Sequence, residues 1–323
     1  MTSYDALLLV SFGGPNGPDE VLPFLQNITE GKNIPPQRLE SVAKHYEHFG
    51  GVSPIVAENA AILSATRAEL DRRGNTTPIY FGCLHAPPFL DDVIATIGEN
   101  KKVQLFCLSA YSSYASCGKY VESIRAAKAK VAPTLIIDKV PPYSYRDGFL
   151  DPLVRSTAKA LAAFDSSQQQ KAELLFTAHS LPIAQTKKSP YVPEVKLAAS
   201  EIVDRLEEQV GRSFKWKLAW QSRSGSPKVP WLEPSIKETL AQHAWEESPA
   251  PLVIVPVGFV CENMETAWDL DVEARQQCEE LGIPMQRART GALDAQFASM
   301  IADILVEEEI GSDTCSNCEL RCK

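Results

Sequence analysis

Short apolar runs recur along the chain, each stopped by turn-forming or polar residues, and between them lie longer stretches with helical periodicity. The first run, ALLLVS at 6–11, ends in Phe12-Gly13-Gly14-Pro15, the punctuation of a strand entering a loop. Similar runs occupy 79–82, 103–109 and 135–138, and then 174–177, 216–220, 252–257 and 285–288. Helices are predicted over 53–72, 91–99, 118–130, 148–164, 195–210, 234–245, 265–280 and 293–309, with Ser53 as N-cap and Pro54 at N1 of the first. Strands alternating with helices imply parallel sheets joined by right-handed crossovers. The expected fold is therefore α/β, with two similar doubly wound, Rossmann-like domains on four-stranded parallel sheets. Pro141-Pro142 marks the crossing, which gives domains of 1–142 and 143–292.

One stretch breaks the rhythm. In PLVIVPVGFVCENMETAWDLDVE at 251–273 a buried strand gives way to Glu262, Glu265, Asp269, Asp271 and Glu273, with no Lys or Arg before Arg275. On an α-helix Glu265, Asp269 and Glu273 fall at i, i+4 and i+8, and like charges so placed cost helix stability unless a cation is present. Spacing alone leaves two readings, a solvated acidic face or a cation-binding ladder.

The chain has 323 residues, 44% hydrophobic and 23% charged, ordinary globular material with room for about two domains. Its net charge of −9 argues against a surface for nucleic-acid phosphates. Asp5 stands where a signal peptide would carry positive charge, and no run reaches the length of a membrane span. A cytosolic protein without an integral membrane segment is expected, and the eight cysteines then read as thiols rather than a disulfide framework. Cys315, Cys318 and Cys322 crowd the tail as CSNCELRCK. Three thiolates suit zinc or an iron–sulfur cluster if a fourth ligand comes from elsewhere; the alternative is a plain exposed tail.

In open α/β sheets ligands bind outside the carboxyl ends of the strands. That rule selects His179, just past the strand at 174–177; Glu265, after the strand at 252–257; and Phe12-Gly13-Gly14-Pro15 in the other half, so that a cleft between domains is expected. An isolated histidine in such a place often only satisfies a loop carbonyl. Beside a carboxylate it can accept protons near neutral pH or help hold a divalent first-row metal. A nucleophilic Ser180 is the weaker reading, because GxSxG is absent, and the Gly13-Gly14 turn completes no nucleotide fingerprint.

Five segments in order resemble the motifs of the ferrochelatase family: LLLVSFGGP at 7–15, HFGGVSPI at 48–55, FTAHSLP at 176–182, WQSRSGSPKVPWLEP at 220–234 and PVGFVCENMETAWDLD at 256–271. The resemblance covers nearly the whole chain and implies a chelatase-type fold whose enzyme inserts Fe²⁺ into a porphyrin in haem synthesis. It implies His179 and Glu265 as the catalytic and metal-binding pair, and Asp269 and Glu273 as a metal or proton path on a widened, π-type helix. Where the family often has Asp-His, this chain has Glu262-Asn263.

The resemblance is to the bacterial branch that metallates coproporphyrin III, and it implies substrate contacts at Ser53, Tyr120, His45 and Phe12. Other members have a tyrosine capable of facing iron at the position of Phe12. Between Pro15 and Glu40 charged residues interrupt any apolar lip of the protoporphyrin-using branch. Some members hold a [2Fe-2S] cluster on three C-terminal cysteines and one internal one; here these are Cys315, Cys318, Cys322 and Cys117, with Cys83 and Cys107 as fallbacks. The implied packing returns 293–323 to the first domain. Partners are then a porphyrin and Fe²⁺, with a monomer as the default and transient contact with neighbouring haem-pathway enzymes. A protoporphyrin IX ferrochelatase and a non-catalytic metal or tetrapyrrole carrier are the other readings.

Overall fold

The structure is a computed structural model that describes residues 4–31, 34–225, 228–243 and 249–307. The described chain forms two compact units. The first comprises residues up to Ser109, Lys119–Pro141 and those from Ile301; the second comprises Ala110–Gly118 and Pro142–Met300.

Each unit carries one parallel sheet. In the first, β1 (Ala6–Ser11), β2 (Ile79–Cys83), β3 (Lys102–Cys107) and β4 (Ile136–Lys139) lie in the order β2-β1-β3-β4. In the second, β5 (Glu173–His179), β6 (Trp216–Gln221), β7 (Leu252–Val255) and β8 (Met285–Arg287) lie in the order β6-β5-β7-β8. The same winding thus occurs twice without an obvious repeat in sequence. Central strands such as β1 and β7 are buried along their whole length, as a sheet covered on both faces requires.

The strands fall where the apolar runs do, and the departures have local causes. β7 stops at Val255, two residues early, because Pro256 has no N–H to donate to the ladder. β5 runs on to His179, paired with Gln221 of β6, and the amide of Ser180 still donates to the Gln221 carbonyl at 2.8 Å. His179 is therefore the last residue of the strand and not the first of the loop. Ser53 does stand at the N-cap of helix Pro54–Arg72, but its side chain makes no capping bond. Helices Pro18–Ile28 and Pro36–His48 fill a stretch for which periodicity predicts none; each opens on a proline, and the first has Asp19 and Glu20 in its first turn. The expected single helix at 265–280 is a π-helix, Thr266–Ala274, continued by an α-helix, Arg275–Glu280.

The loop after β7 is held by one close approach to β5. The amide of Gly258 donates to the Thr177 carbonyl at 3.0 Å, and a Cβ at Gly258 would stand 2.4 Å from the Cβ of Ala178. That loop is thereby pressed against the end of β5, one residue before His179. Gly258→Ala is expected to destabilise the fold by about 1–3 kcal/mol through overpacking. An unchanged denaturation midpoint would count against this contact as the constraint.

Candidate active site

In the order β6-β5-β7-β8 the winding leaves β5 in opposite directions toward β6 and β7, so the switch point lies between β5 and β7. β5 delivers His179 there, and the loop after β7 delivers Glu265. His179 Nε2 lies 3.3 Å from Glu265 Oε1, with the two side chains 29% and 43% exposed. The pair is open to solvent on one side and held by protein on the other. The hydroxyl of Tyr191 donates to the His179 carbonyl at 3.0 Å and fixes the backbone behind the imidazole.

The other imidazole nitrogen decides the tautomer. Nδ1 lies 2.5 Å from the Ser180 carbonyl, which can only accept, so Nδ1 carries a proton. Nε2 is then the atom that gains or loses a proton, or binds a metal, and it faces Glu265. Burial is the largest influence on this imidazole and disfavours its charge. The negative charge and hydrogen bond of Glu265, the Ser180 carbonyl and the charge of Asp269 outweigh it and raise the pKa to about 9. Asp269 is the third member: it accepts hydrogen bonds from the Ser222 hydroxyl and, at 3.2 Å, from Gln221 Nε2. Burial, opposed by the Ser222 hydrogen bond and aided by the charges of Glu265 and Glu273, lifts its carboxyl to about 7. One proton donor and one half-ionised acid thus flank Glu265 near neutral pH.

The rest of the acidic segment is neutralised by a residue far along the chain. Arg287, at the end of β8, grips Asp271 with Nε–Oδ1 at 2.6 Å and Nη2–Oδ2 at 2.7 Å, and reaches Glu262 Oε1 at 3.0 Å. Glu262 also accepts from the Thr290 amide at 2.9 Å and the Thr266 hydroxyl at 2.9 Å. Burial works against the Glu262 charge, but Arg287 and these donors prevail and hold its carboxyl below its ordinary value. Glu262 and Asp271 are therefore structural ions. Glu273 is exposed at the outer end, where it accepts from Trp268 Nε1 at 2.9 Å. Asn263 and Thr266 bond reciprocally, amide to side-chain oxygen at 3.0 Å each way, and start the π-helix.

Residues 4–309 match the family description Ferrochelatase. The chain is similar to the coproporphyrin III ferrochelatase of Streptomyces griseus, 39% identical over 320 residues that span 94% of this chain and 85% of that protein. It is similar to the protein of the same name from Mycobacterium sp. strain JLS, 40% identical over 309 residues, 94% of this chain and 88% of that one.

The chain belongs to the ferrochelatase family.

Among solved structures it resembles SirB from Bacillus subtilis with Fe³⁺, with a TM-score of 0.52 and 12% identity over 98% of this chain and 99% of that one, a likeness of fold. Within this ferrochelatase fold the two motifs quoted at 176–182 and 256–271 meet at one sheet edge of the second unit, and the motif at 220–234 joins them through Gln221 and Ser222. Sequence reasoning singles out neither Gln221 nor Ser222, nor Tyr191 and Arg287; the signal for the first two is their place at the end of β6.

The remaining candidates, apart from Cys117, belong to the first unit. Phe12 is 40% exposed, tilted against His85 with ring centroids 4.6 Å apart and set edge-on to Phe24. Ser53 is buried against Gly14, where a Cβ would meet the Ser53 Cβ at 2.7 Å. His45 is half-buried on helix Pro36–His48, and Tyr120 is only 4% exposed within the core formed by Leu8, Val10, Leu105 and Ile124. Cys117 is buried at the end of a π-turn, Tyr114–Gly118. Cys315, Cys318 and Cys322 lie outside the described residues.

Because its folded pKa is raised from 6.5 to about 9, His179 contributes stability that is full below 6.5 and lost as pH rises through 9. Asp269, raised from 3.8 to about 7, has the same sign in a lower window, between 3.8 and 7. Imidazole NMR of the metal-free protein is expected to show His179 still protonated at neutral pH, and Glu265→Gln to bring its titration down; an unmoved midpoint would break the coupling between the two. Arg287→Met leaves the buried Glu262 and the half-buried Asp271 without their cation and is expected to cost about 3–5 kcal/mol in urea denaturation.

Proposed function

We propose that the protein inserts Fe²⁺ into coproporphyrin III to give coprohaem, with the reaction centred on His179 and Glu265. The observation that carries this reading is the 3.3 Å pair at the sheet's switch point, with a half-buried acid of pKa about 7 next to it. The names of the similar proteins from Streptomyces and Mycobacterium supply the choice of porphyrin.

Insertion replaces two pyrrole N–H protons by one metal ion, so a site must release a dication and take up two protons. Metal and proton compete for the same Nε2 lone pair, so Fe²⁺ arriving at the pair displaces the imidazole proton and leaves a neutral ligand whose Nδ1–H remains on Ser180. Glu265 offers an oxygen to Fe²⁺ or to a pyrrole proton. Asp269, close to half-ionised at pH 7, passes protons outward past Glu273 with little free-energy cost in either direction. The acid ladder of the sequence is thus narrowed to Glu265, Asp269 and Glu273. Phe12, Ser53, His45 and Tyr120 are carried as contacts for the porphyrin, with Phe12 presenting an apolar ring and no metal ligand.

We further propose a [2Fe-2S] cluster held by Cys117 with Cys315, Cys318 and Cys322. Cys117, on the irregular turn Tyr114–Gly118, stands outside the strands that hold Cys83 and Cys107. Its thiol donates to the Ser113 carbonyl at 3.5 Å on an irregular turn. Cys107 packs within a strand core, and burial pushes the Cys83 thiol up to about 12, which disfavours the thiolate. When bound, such a cluster supplies a redox-sensitive cross-link to the tail. The protein is read as a cytoplasmic monomer that passes its product to a neighbouring haem-pathway enzyme; no described helix is long and apolar enough to cross a membrane.

His179→Ala and Glu265→Gln are each expected to lower single-turnover anaerobic insertion at least about a hundredfold. Porphyrin binding, followed by fluorescence quenching, should persist. Near-normal turnover in either variant would reject the pair. Asp269→Asn is expected to slow insertion and remove an acidic limb near pH 7 from the rate profile. Coproporphyrin III should outpace protoporphyrin IX as substrate; the reverse order would reassign the branch, and binding of both without turnover would make the protein a carrier. For the cluster, anaerobically purified protein should be coloured, with iron and sulfide in equal amounts, and Cys117→Ser should lose both. A colourless, zinc-containing preparation would refute it.

A further inference from the structure

A second concavity lies in the same unit, behind the Arg287 cluster. It is an open cavity of about 440 Å³ between helix Asp147–Ala162 and the loop after β8. Four cations line it, Arg155, Lys159, Arg287 and Arg289, against one acid, Asp294. In a chain of net charge −9 such a grouping runs against the average composition.

Arg155 is bound to Asp294, with Nε–Oδ2 at 2.9 Å and Nη2–Oδ1 at 2.8 Å, which neutralises the one acid of the wall. Arg287 is held between Asp271 and Glu262. The Arg289 guanidinium is 65% exposed, and its Nε stays 3.7 Å from Glu262, an oxygen already receiving Arg287 and the Thr290 amide. Lys159 is exposed and makes no hydrogen bond or ion pair among the described residues. Among the lining cations Lys159 is the one that no acid among the described residues takes up, and it stands beside the exposed Arg289 on the solvent side. The walls are firmly seated, since a Cβ at Gly291 would stand 2.7 Å from the Pro152 Cβ.

We propose that this cavity is a binding site for a small polyanion with clustered oxygens, of the phosphoryl or polycarboxylate class, held by Lys159 and Arg289 with Arg155 at its edge. The volume falls in the range of small-molecule sites, and guanidinium and ammonium groups converging on a concave surface are the usual donors to such oxygens. The ligand would meet the outer side of Arg287, the residue that neutralises the acids of the π-helix. The inference does not depend on the insertion reaction.

Isothermal titration of the full-length protein as purified, without added iron, with inorganic pyrophosphate, and separately with citrate, at low ionic strength tests it. Saturable one-to-one binding of at least one probe is expected, and the tighter of the two identifies the class. A Lys159→Glu, Arg289→Glu double variant should bind at least about tenfold more weakly, with hydrogen-exchange protection by the probe confined to residues 152–163 and 287–294. Both side chains are exposed, so the fold should persist; the corresponding alanine pair, which should also weaken binding, serves if charge reversal disturbs Glu262. No saturable binding of either probe, binding undiminished in both double variants, or protection mapping elsewhere would overturn the proposal.

Discussion

One arginine at the end of β8 sets the terms on which the acidic segment folds. Glu262, Asp271, Glu265, Asp269 and Glu273 lie within twelve residues, and carboxylates this dense cannot all enter a folded edge unless some are neutralised. Arg287 takes Asp271 in a two-point grip and Glu262 through one oxygen, while the Thr266 hydroxyl and the Thr290 amide complete the shell of Glu262. Fixing these two acids binds the start and middle of the π-helix to the end of β8. What remains, Glu265 and Asp269, turns instead to an imidazole, a serine hydroxyl and an amide. The contrast is physical: strong pairing makes Glu262 a permanent ion, whereas weak pairing and burial leave Asp269 able to change charge near neutrality.

The topology makes that contrast useful. A parallel sheet whose winding reverses between β5 and β7 opens a crevice at their carboxyl ends, and the Gly258–Ala178 contact brings the loop after β7 against β5. His179 is the last paired residue of a buried strand, so its backbone is held by the ladder, by Tyr191 and by Ser180 through Gln221. Glu265 stands at the head of a π-helix begun by Asn263. A rigid imidazole faces a carboxylate beside Asp269, whose own pKa lies near neutrality, an arrangement suited to exchanging protons for a metal ion.

Much of this architecture is legible in the chain itself. All eight strands fall on the apolar runs, and the two-sheet organisation follows from their alternation with helices. The meeting of His179 with Glu265 is legible because strand ends can be recognised by their punctuation. Boundaries are less so: β7 ends early at a proline, β5 runs on because β6 offers it a partner, and of the two helices before Gly50 the first is masked by Pro23 in its interior and the second by its few apolar positions. The place of the Tyr120 ring in the first core is not legible in its motif.

The sequence by itself determined which segments are buried strands, that they form parallel sheets, and which histidine and which glutamate come to a strand end, because periodicity and punctuation are local properties. Only the tertiary structure decided which carboxylates of the acidic segment are structural ions and which titrate. That outcome depends on Arg287, which lies sixteen positions after Asp271 and twenty-five after Glu262, and on Gln221 and Ser222 from another strand. Charge compensation acts through space, and spacing along the chain carries no record of it.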